Sequence, residues 1–189
     1  MASTNEFDEL LGSMKRAAGA LRDSGIPFAL GGGLAVWARG GPRTEHDVDF
    51  FVKPEDAEHA QTVLAGVGMR AERPPEGWLL KCHDGDILID LIFQPRGGPV
   101  DDEFLGRAEE LDVYAVTMPV AALEDVIVTK LLALNEQNLD YGTVLETARA
   151  VREQLDWSEV RRRTVDSPYA KAFLTLVEEL GVAPETPSL

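Results

Sequence analysis

Phe7, Leu10, Leu11, Met14, Ala17 and Leu21 recur at helical spacing, which predicts an amphipathic helix over residues 5–23. "SGIP" ends it. A short strand, "FAL" (28–30), meets Gly31–Gly33, which bend the chain into a second helix, "LAVWARG". "DVDFFV" (47–52) alternates as a strand, with Val48, Phe50 and Val52 on one side. "PEDAEHAQTVLAGVG" opens on proline and acids and closes on glycine, the polarity of a helix. "MRAER" and "WLLKC" read as strands flanking the turn "PPEG". After the turn "HDGD" comes "ILIDLIF" (87–93), the most strand-like run in the chain.

The pattern changes after "QPRGGPVDDEF". One extended segment around "DVYAVTMP" precedes four helical stretches, at roughly 120–134, 142–155, 157–163 and 168–180. The chain therefore divides into a mixed α/β (α+β) part over residues 1–118 and a helical part over 119–189. The tail "APETPSL" reads as frayed.

Composition narrows the classes. The 189 residues are 44% hydrophobic, so the chain can bury a sizeable core. The single cysteine, Cys82, excludes an internal disulfide framework and fits a reducing cytoplasm. No apolar run reaches the length of a bilayer span, and the N-terminal pattern is not a secretory signal, so no membrane partner is expected. The formal charge is −15, from 33 acids against 18 bases. Duplex DNA, whose binding rests on phosphate neutralisation, is not an expected partner. "RRR" at 161–163, with Arg149 and Arg152 upstream, is the basic run that could meet an RNA end; its plain reading is a solvated helix face. An acidic surface also suits a cationic small molecule.

Paired carboxylates carry the candidate chemistry. Residues two apart on a strand share a face, so Asp47 and Asp49 point together. Like charges held close need a cation, and a hard divalent ion bound by carboxylates supplies one. Asp90 sits inside "ILIDLIF", with Ile87, Ile89 and Leu91 on the opposite face. If the two strands are neighbours, Asp47, Asp49 and Asp90 form a triangle suited to metal ions clamping a displacement at phosphorus. Asp84 and Asp86 repeat the spacing within a polar turn, where turn formation explains them; Asp101, Asp102 and Glu103 open a helix.

Gly31–Gly33 fit neither a dinucleotide fingerprint nor a P-loop, but glycines between strand and helix let backbone approach phosphate, or let the two elements pack closely. "LGGG", a spacer of 13 residues after Gly33 and "DVDFFV" together resemble the signature of the polymerase-β-type nucleotidyltransferase superfamily. "GGGLAVWARGGPRTEHDVDFFV" is similar in detail to the branch holding AbiEii/MenT-like toxin nucleotidyltransferases, through Gly32, Gly33, Ala35, Arg43, Thr44, Asp47 and Asp49. "VTKLLALNEQNLDYGTVL" (128–145) also resembles the downstream helix of that branch, with "QNLD" where a basic–acidic pair is usual.

The resemblance implies a small mixed sheet with flanking helices as the nucleotidyltransferase core, and a helical region closing a cleft. It implies Mg²⁺ as cofactor and an NTP as co-substrate, with transfer of a nucleoside monophosphate and release of pyrophosphate. Asp47 and Asp49 would hold the metal, Asp90 would bind a second ion and orient the acceptor hydroxyl, and Gly32 and Gly33 would cradle phosphates. The favoured acceptor is a tRNA 3′ end or a protein, within a toxin–antitoxin system with an antitoxin partner. The alternatives are a small molecule, as in aminoglycoside and lincosamide nucleotidyltransferases, and a silent domain that binds a nucleotide or partner.

Lys130 lies in an apolar helix and either snorkels to solvent or stabilises the leaving group. Arg43 either contacts phosphate or braces its loop, and Thr44 follows it in the nucleotide-binding motif. His46 lacks ligand spacing to His59 or His83, so zinc is not expected. Cys82 and His83, adjacent on a strand, face opposite ways. Trp37, Trp78 and Trp157 read as packing residues, with Trp78 beside a turn where it could stack on a base.

Overall fold

The computed structural model describes residues 4–44 and 47–185; His46 and the end of the tail lie outside them. The helices are α1 (Thr4–Asp23), α2 (Gly32–Trp37), α3 (Ala57–Gly66), α4 (Asp102–Gly106), α5 (Leu123–Ala133), α6 (Tyr141–Val151), α7 (Trp157–Arg163) and α8 (Pro168–Glu179). The strands are β1 (Phe28–Leu30), β2 (Asp47–Val52), β3 (Arg70–Glu72), β4 (Leu79–Asp84), β5 (Ile87–Ile92), β6 (Glu109–Val113) and β7 (Val116–Val120).

The strands form one mixed sheet in the order β3-β4-β5-β2-β1-β7-β6. β2 and β5 run parallel at its centre, β4 and β5 form an antiparallel hairpin, and β1 lies antiparallel to β2. Strand alternation sets the two faces. Val48, Phe50, Val52, Leu80, Cys82, Ile89 and Leu91 are all buried on the side where α1 and α3 pack. The opposite face of β2 and β5 carries the aspartates. Residues of α5 to α8 belong to the same continuous buried cluster as the sheet, including Ile127, Leu131, Val160 and Phe173.

Four places differ from the sequence expectation. The stretch read as one extended segment around 112–119 is the β6–β7 hairpin. Its turn residues, Tyr114 and Ala115, adopt φ of 49° and 62°, a left-handed conformation usually signalled by Asn-Gly or Gly. Asp84 does more than shape a turn: it accepts a 2.6 Å hydrogen bond from Ser13 Oγ and pairs with Arg16, tying α1 to the β4–β5 hairpin. The arginine run is not simply a solvated face. Arg161 binds Glu178 and the carbonyl of Pro184, and Arg163 reaches buried Asp125, leaving only Arg162 largely in solvent, paired with Glu159. The Pro184 contact also fastens the first residues of the tail that reads as frayed.

Candidate active site

The hairpin joining β4 to β5 and the parallel pairing of β5 with β2 fix which side chains meet. Asp49 lies directly opposite Asp90 in the β2–β5 register, and Asp90 directly opposite Lys81 across the β4–β5 hairpin. Asp47 precedes Asp49 by two residues on the same face. One carboxylate oxygen from each of Asp47, Asp49 and Asp90 lies within 4.8 Å of the others. The three acids thus converge on one point of the sheet.

Such a cluster is costly without a cation. Burial, then the charges of Asp47 and Asp90, push the Asp49 carboxyl up to about 8, against the pull of Lys130 and Lys81. Burial also raises Asp90 to about 6 despite the opposing Lys81 charge. Lys81 Nζ stands 3.7 Å from Asp90 Oδ1, an ion pair too long for a hydrogen bond, so this buried oxygen lacks a hydrogen-bond partner. Three hard oxygen donors drawn together, one of them without a hydrogen-bond partner, match the needs of a divalent ion of the magnesium class.

Gly32 closes against this cluster. Its φ is +54°, and a Cβ added there would stand 1.7 Å from Asp49 Oδ2. A side chain at this position would displace the carboxylate, so the glycine sets how close backbone and acid approach. A Cβ on Gly33 would meet Thr44 Cβ at 2.6 Å, so Gly33 and Thr44 pack together rather than lining the cleft. Arg43 is exposed and lies over the Phe7 ring at 4.9 Å, bracing its loop outside the cleft lining.

The cleft has a volume of about 840 Å³. Asp47, Asp49 and Asp90 occupy its floor, and Val126, Thr129, Lys130 and Ala133 of α5 face them from the other side. Lys130 therefore points into the cleft, and its charge acts on Asp49. α5 is anchored on its far side by Asp125, which is fully buried between Arg107, at 2.9 and 3.0 Å, and Arg163, at 2.7 Å. Asp140, the acid of "QNLD", caps α6 through the backbone N–H and hydroxyl of Thr143 and is exposed. Cys82 is buried with its thiol pushed up to about 11, and His83 pairs with Glu72 at 2.9 Å, so these two neighbours do not act together.

Sequence reasoning missed Lys81 as a neighbour of Asp90, although the signal is present. A two-residue loop at Gly85–Asp86 pairs Asp84 with Ile87, and counting back from there places Lys81 opposite Asp90. It also missed the far end of the cleft, where Phe51, Ile92, Gln94 and Asn138 join Trp78, since nothing local in the sequence marks them.

Comparison with known proteins gives a family. Residues 11–173 match the model described as nucleotidyl transferase of unknown function (DUF2204). No curated protein matches the sequence. Among solved structures, ANT(2")-Ia in complex with adenylyl-2"-tobramycin superposes with a TM-score of 0.64 at 18% identity, covering 88% of this chain and 97% of that one. An antigenic nucleotidyltransferase-like protein from Paracoccidioides brasiliensis gives 0.54 at 14% identity, covering 94% and 89%. The lincosamide antibiotic adenylyltransferase LnuA, lincomycin-bound, gives 0.50 at 15% identity, covering 72% and 94%. At these identities the likeness is one of fold.

Proposed function

The chain belongs to this nucleotidyl transferase family, and from that premise we propose that it transfers a nucleoside monophosphate from an NTP to a hydroxyl of a small cationic acceptor, with Mg²⁺ as cofactor. The observation that carries this reading is the convergence of Asp47, Asp49 and Asp90 beneath Lys130 in one cleft. Asp47 and Asp49 hold the metal with Asp90, and the bound ion supplies charge neutralisation for the carboxylates and polarises the phosphate.

The chain's own groups divide the remaining work. Asp90, at the edge of the carboxylate cluster, would accept the proton of the acceptor hydroxyl as the new O–P bond forms. The bond from the α-phosphorus to pyrophosphate breaks, and the Lys130 ammonium takes up charge on the leaving group. Gly32 lets the backbone at the cleft wall approach the Asp49 carboxylate closely.

Two observations favour a small cationic acceptor over an RNA end. Arg161 and Arg163 of the "RRR" run are tied into ion pairs with Glu178 and Asp125, so the run presents no free basic patch. The structural neighbours include proteins whose names couple adenylyl transfer to tobramycin and lincosamides. The test is incubation with each labelled NTP and Mg²⁺, against a panel of aminoglycosides and lincosamides and against total tRNA. The expected product is a labelled small molecule, lost in Asp49→Asn. Label on tRNA alone would favour the toxin-type reading, and no label on any acceptor would overturn the small-acceptor reading.

A further inference from the structure

A row of charges runs across four strands of the sheet. In register, Glu72 of β3 faces Lys81 of β4, Lys81 faces Asp90 of β5, and Asp90 faces Asp49 of β2. Neighbouring strands lie about 4.8 Å apart, so Asp90 has a cation one strand away on one side and a second acid one strand away on the other. Lys81 is not drawn toward Glu72, whose carboxylate is held by His83 at 2.9 Å and by Arg70 at 3.5 Å. Its ammonium turns to Asp90 instead, 3.7 Å from Oδ1. Among the described residues, Lys81 is the one base that forms an ion pair with any of the three carboxylates; Lys130, across the cleft on α5, forms none.

The separation decides what this pair can do. At 3.7 Å the ammonium is close enough for its charge to count and too far to take the oxygen as a hydrogen-bond acceptor. Asp90 Oδ1 therefore stays buried, balanced in charge and open to a further cation. The lysine is held in place: its carbonyl accepts a 2.9 Å bond from the Gln61 side chain, and its own side chain is only 24% exposed. Three ionised carboxylates and one ammonium leave two negative charges, which a single divalent ion neutralises. A second ion on the same acids would leave excess positive charge beside Lys81, and that repulsion is poorly screened where water is excluded.

Resting on the metal-site reading above, we propose that Lys81 is an internal counter-cation of the carboxylate cluster. Its charge stands where a further divalent ion would otherwise be needed, so the nucleotide-free protein takes one such ion, and takes it less tightly than the three acids alone would. Lys81 acts through Asp90 and is a positioning residue, not a catalytic one. The two lysines divide the work: Lys81 balances the acids from within the sheet, and Lys130 stays unpaired for an incoming phosphate.

The probe is Mn²⁺ alone, which shares the oxygen preference of Mg²⁺, without nucleotide and at one fixed pH. Binding is followed by calorimetry and by the paramagnetic resonance of the free ion. Wild type should bind one Mn²⁺ per chain. Lys81→Met and Lys81→Gln, which remove the charge, should each bind it roughly tenfold or more tightly, while Lys81→Arg, which keeps the charge, should stay close to wild type. Lys171→Met removes an exposed charge from α8 and should change nothing, which separates a local effect from net charge. The rise in melting temperature on adding the same excess of Mn²⁺ should be larger in the two neutral variants than in wild type. A purely structural lysine would instead lower melting temperatures with and without Mn²⁺ alike. Equal Mn²⁺ affinity in wild type and both neutral variants, or two ions per wild-type chain, would overturn the role of Lys81. Mn²⁺ that Asp49→Asn binds as well as wild type would place the ion elsewhere and sink the metal-site reading instead. If wild type binds no Mn²⁺, both fall.

Discussion

At the level of single residues, the Asp49 carboxyl concentrates the physics of this protein. Its folded-state value of about 8 lies above the ordinary 3.8, so between those limits the folded chain holds a proton that the unfolded chain has released. The sign follows: metal-free stability falls as pH rises from about 4 to about 8, and Asp90, raised to about 6, adds to the lower part of that window. The acids with lowered values, Glu72, Asp140 and Glu159, act below it. Melting temperatures measured in EDTA across this range should therefore decline, and Asp49→Asn should flatten the decline. On the proposed function Mg²⁺ would bind the ionised carboxylates, so its stabilisation should grow over the same range. A wild-type slope that survives in Asp49→Asn would show that other groups set it.

At the level of elements, α5 is the part that joins the site to the rest of the fold. Asp125 and Lys130 stand five residues apart on it, which turns them to opposite sides: Asp125 faces Arg107 and Arg163, and Lys130 faces the carboxylates. Asp125→Asn keeps the shape but leaves two guanidinium groups without their shared anion. Breaking a buried pair in this way costs about 3 kcal/mol where the surviving charges can still reach water. Urea denaturation should show that loss as a lower midpoint with an unchanged slope. The sequence made some of this visible and hid the rest. The spacing of Asp47 and Asp49, the apolar run around Asp90 and the helix holding Lys130 were legible because each is a local periodicity. The β6–β7 hairpin was not, because Tyr114 and Ala115 occupy left-handed backbone without a glycine to announce it. The Asp125 clamp was not, because its partners lie 18 and 38 residues away, Arg107 just past the end of α4 and Arg163 on α7, and no local pattern encodes that packing. For Arg43 the sequence left phosphate contact and bracing of its loop as alternatives, and its neighbour in the fold is the Phe7 ring.

For the whole molecule, the net charge of −15 and the placement of its few cations would pull the two proposed substrates in opposite directions. Most arginines near α4, α7 and α8 are engaged in ion pairs, and Lys130 and Arg96 are the cations that line the cleft. A nucleoside triphosphate thus approaches against the overall field and is held by local groups once inside. The proposed cationic acceptor would be drawn in by that same field, which would raise its encounter rate. Added salt screens the field beyond a Debye length, about 10 Å at 0.1 M, and has less effect on contacts within the cleft. Raising ionic strength from about 0.05 M to about 0.3 M should therefore lower kcat/KM for a polycationic acceptor severalfold while leaving kcat nearly constant. For the magnesium-bound NTP the same change should leave kcat/KM level or raise it. The two salt slopes, measured side by side with one substrate saturating each time, separate a field that selects cations from one that does not. Parallel slopes for both substrates would mean that the acidic surface plays no part in choosing the acceptor.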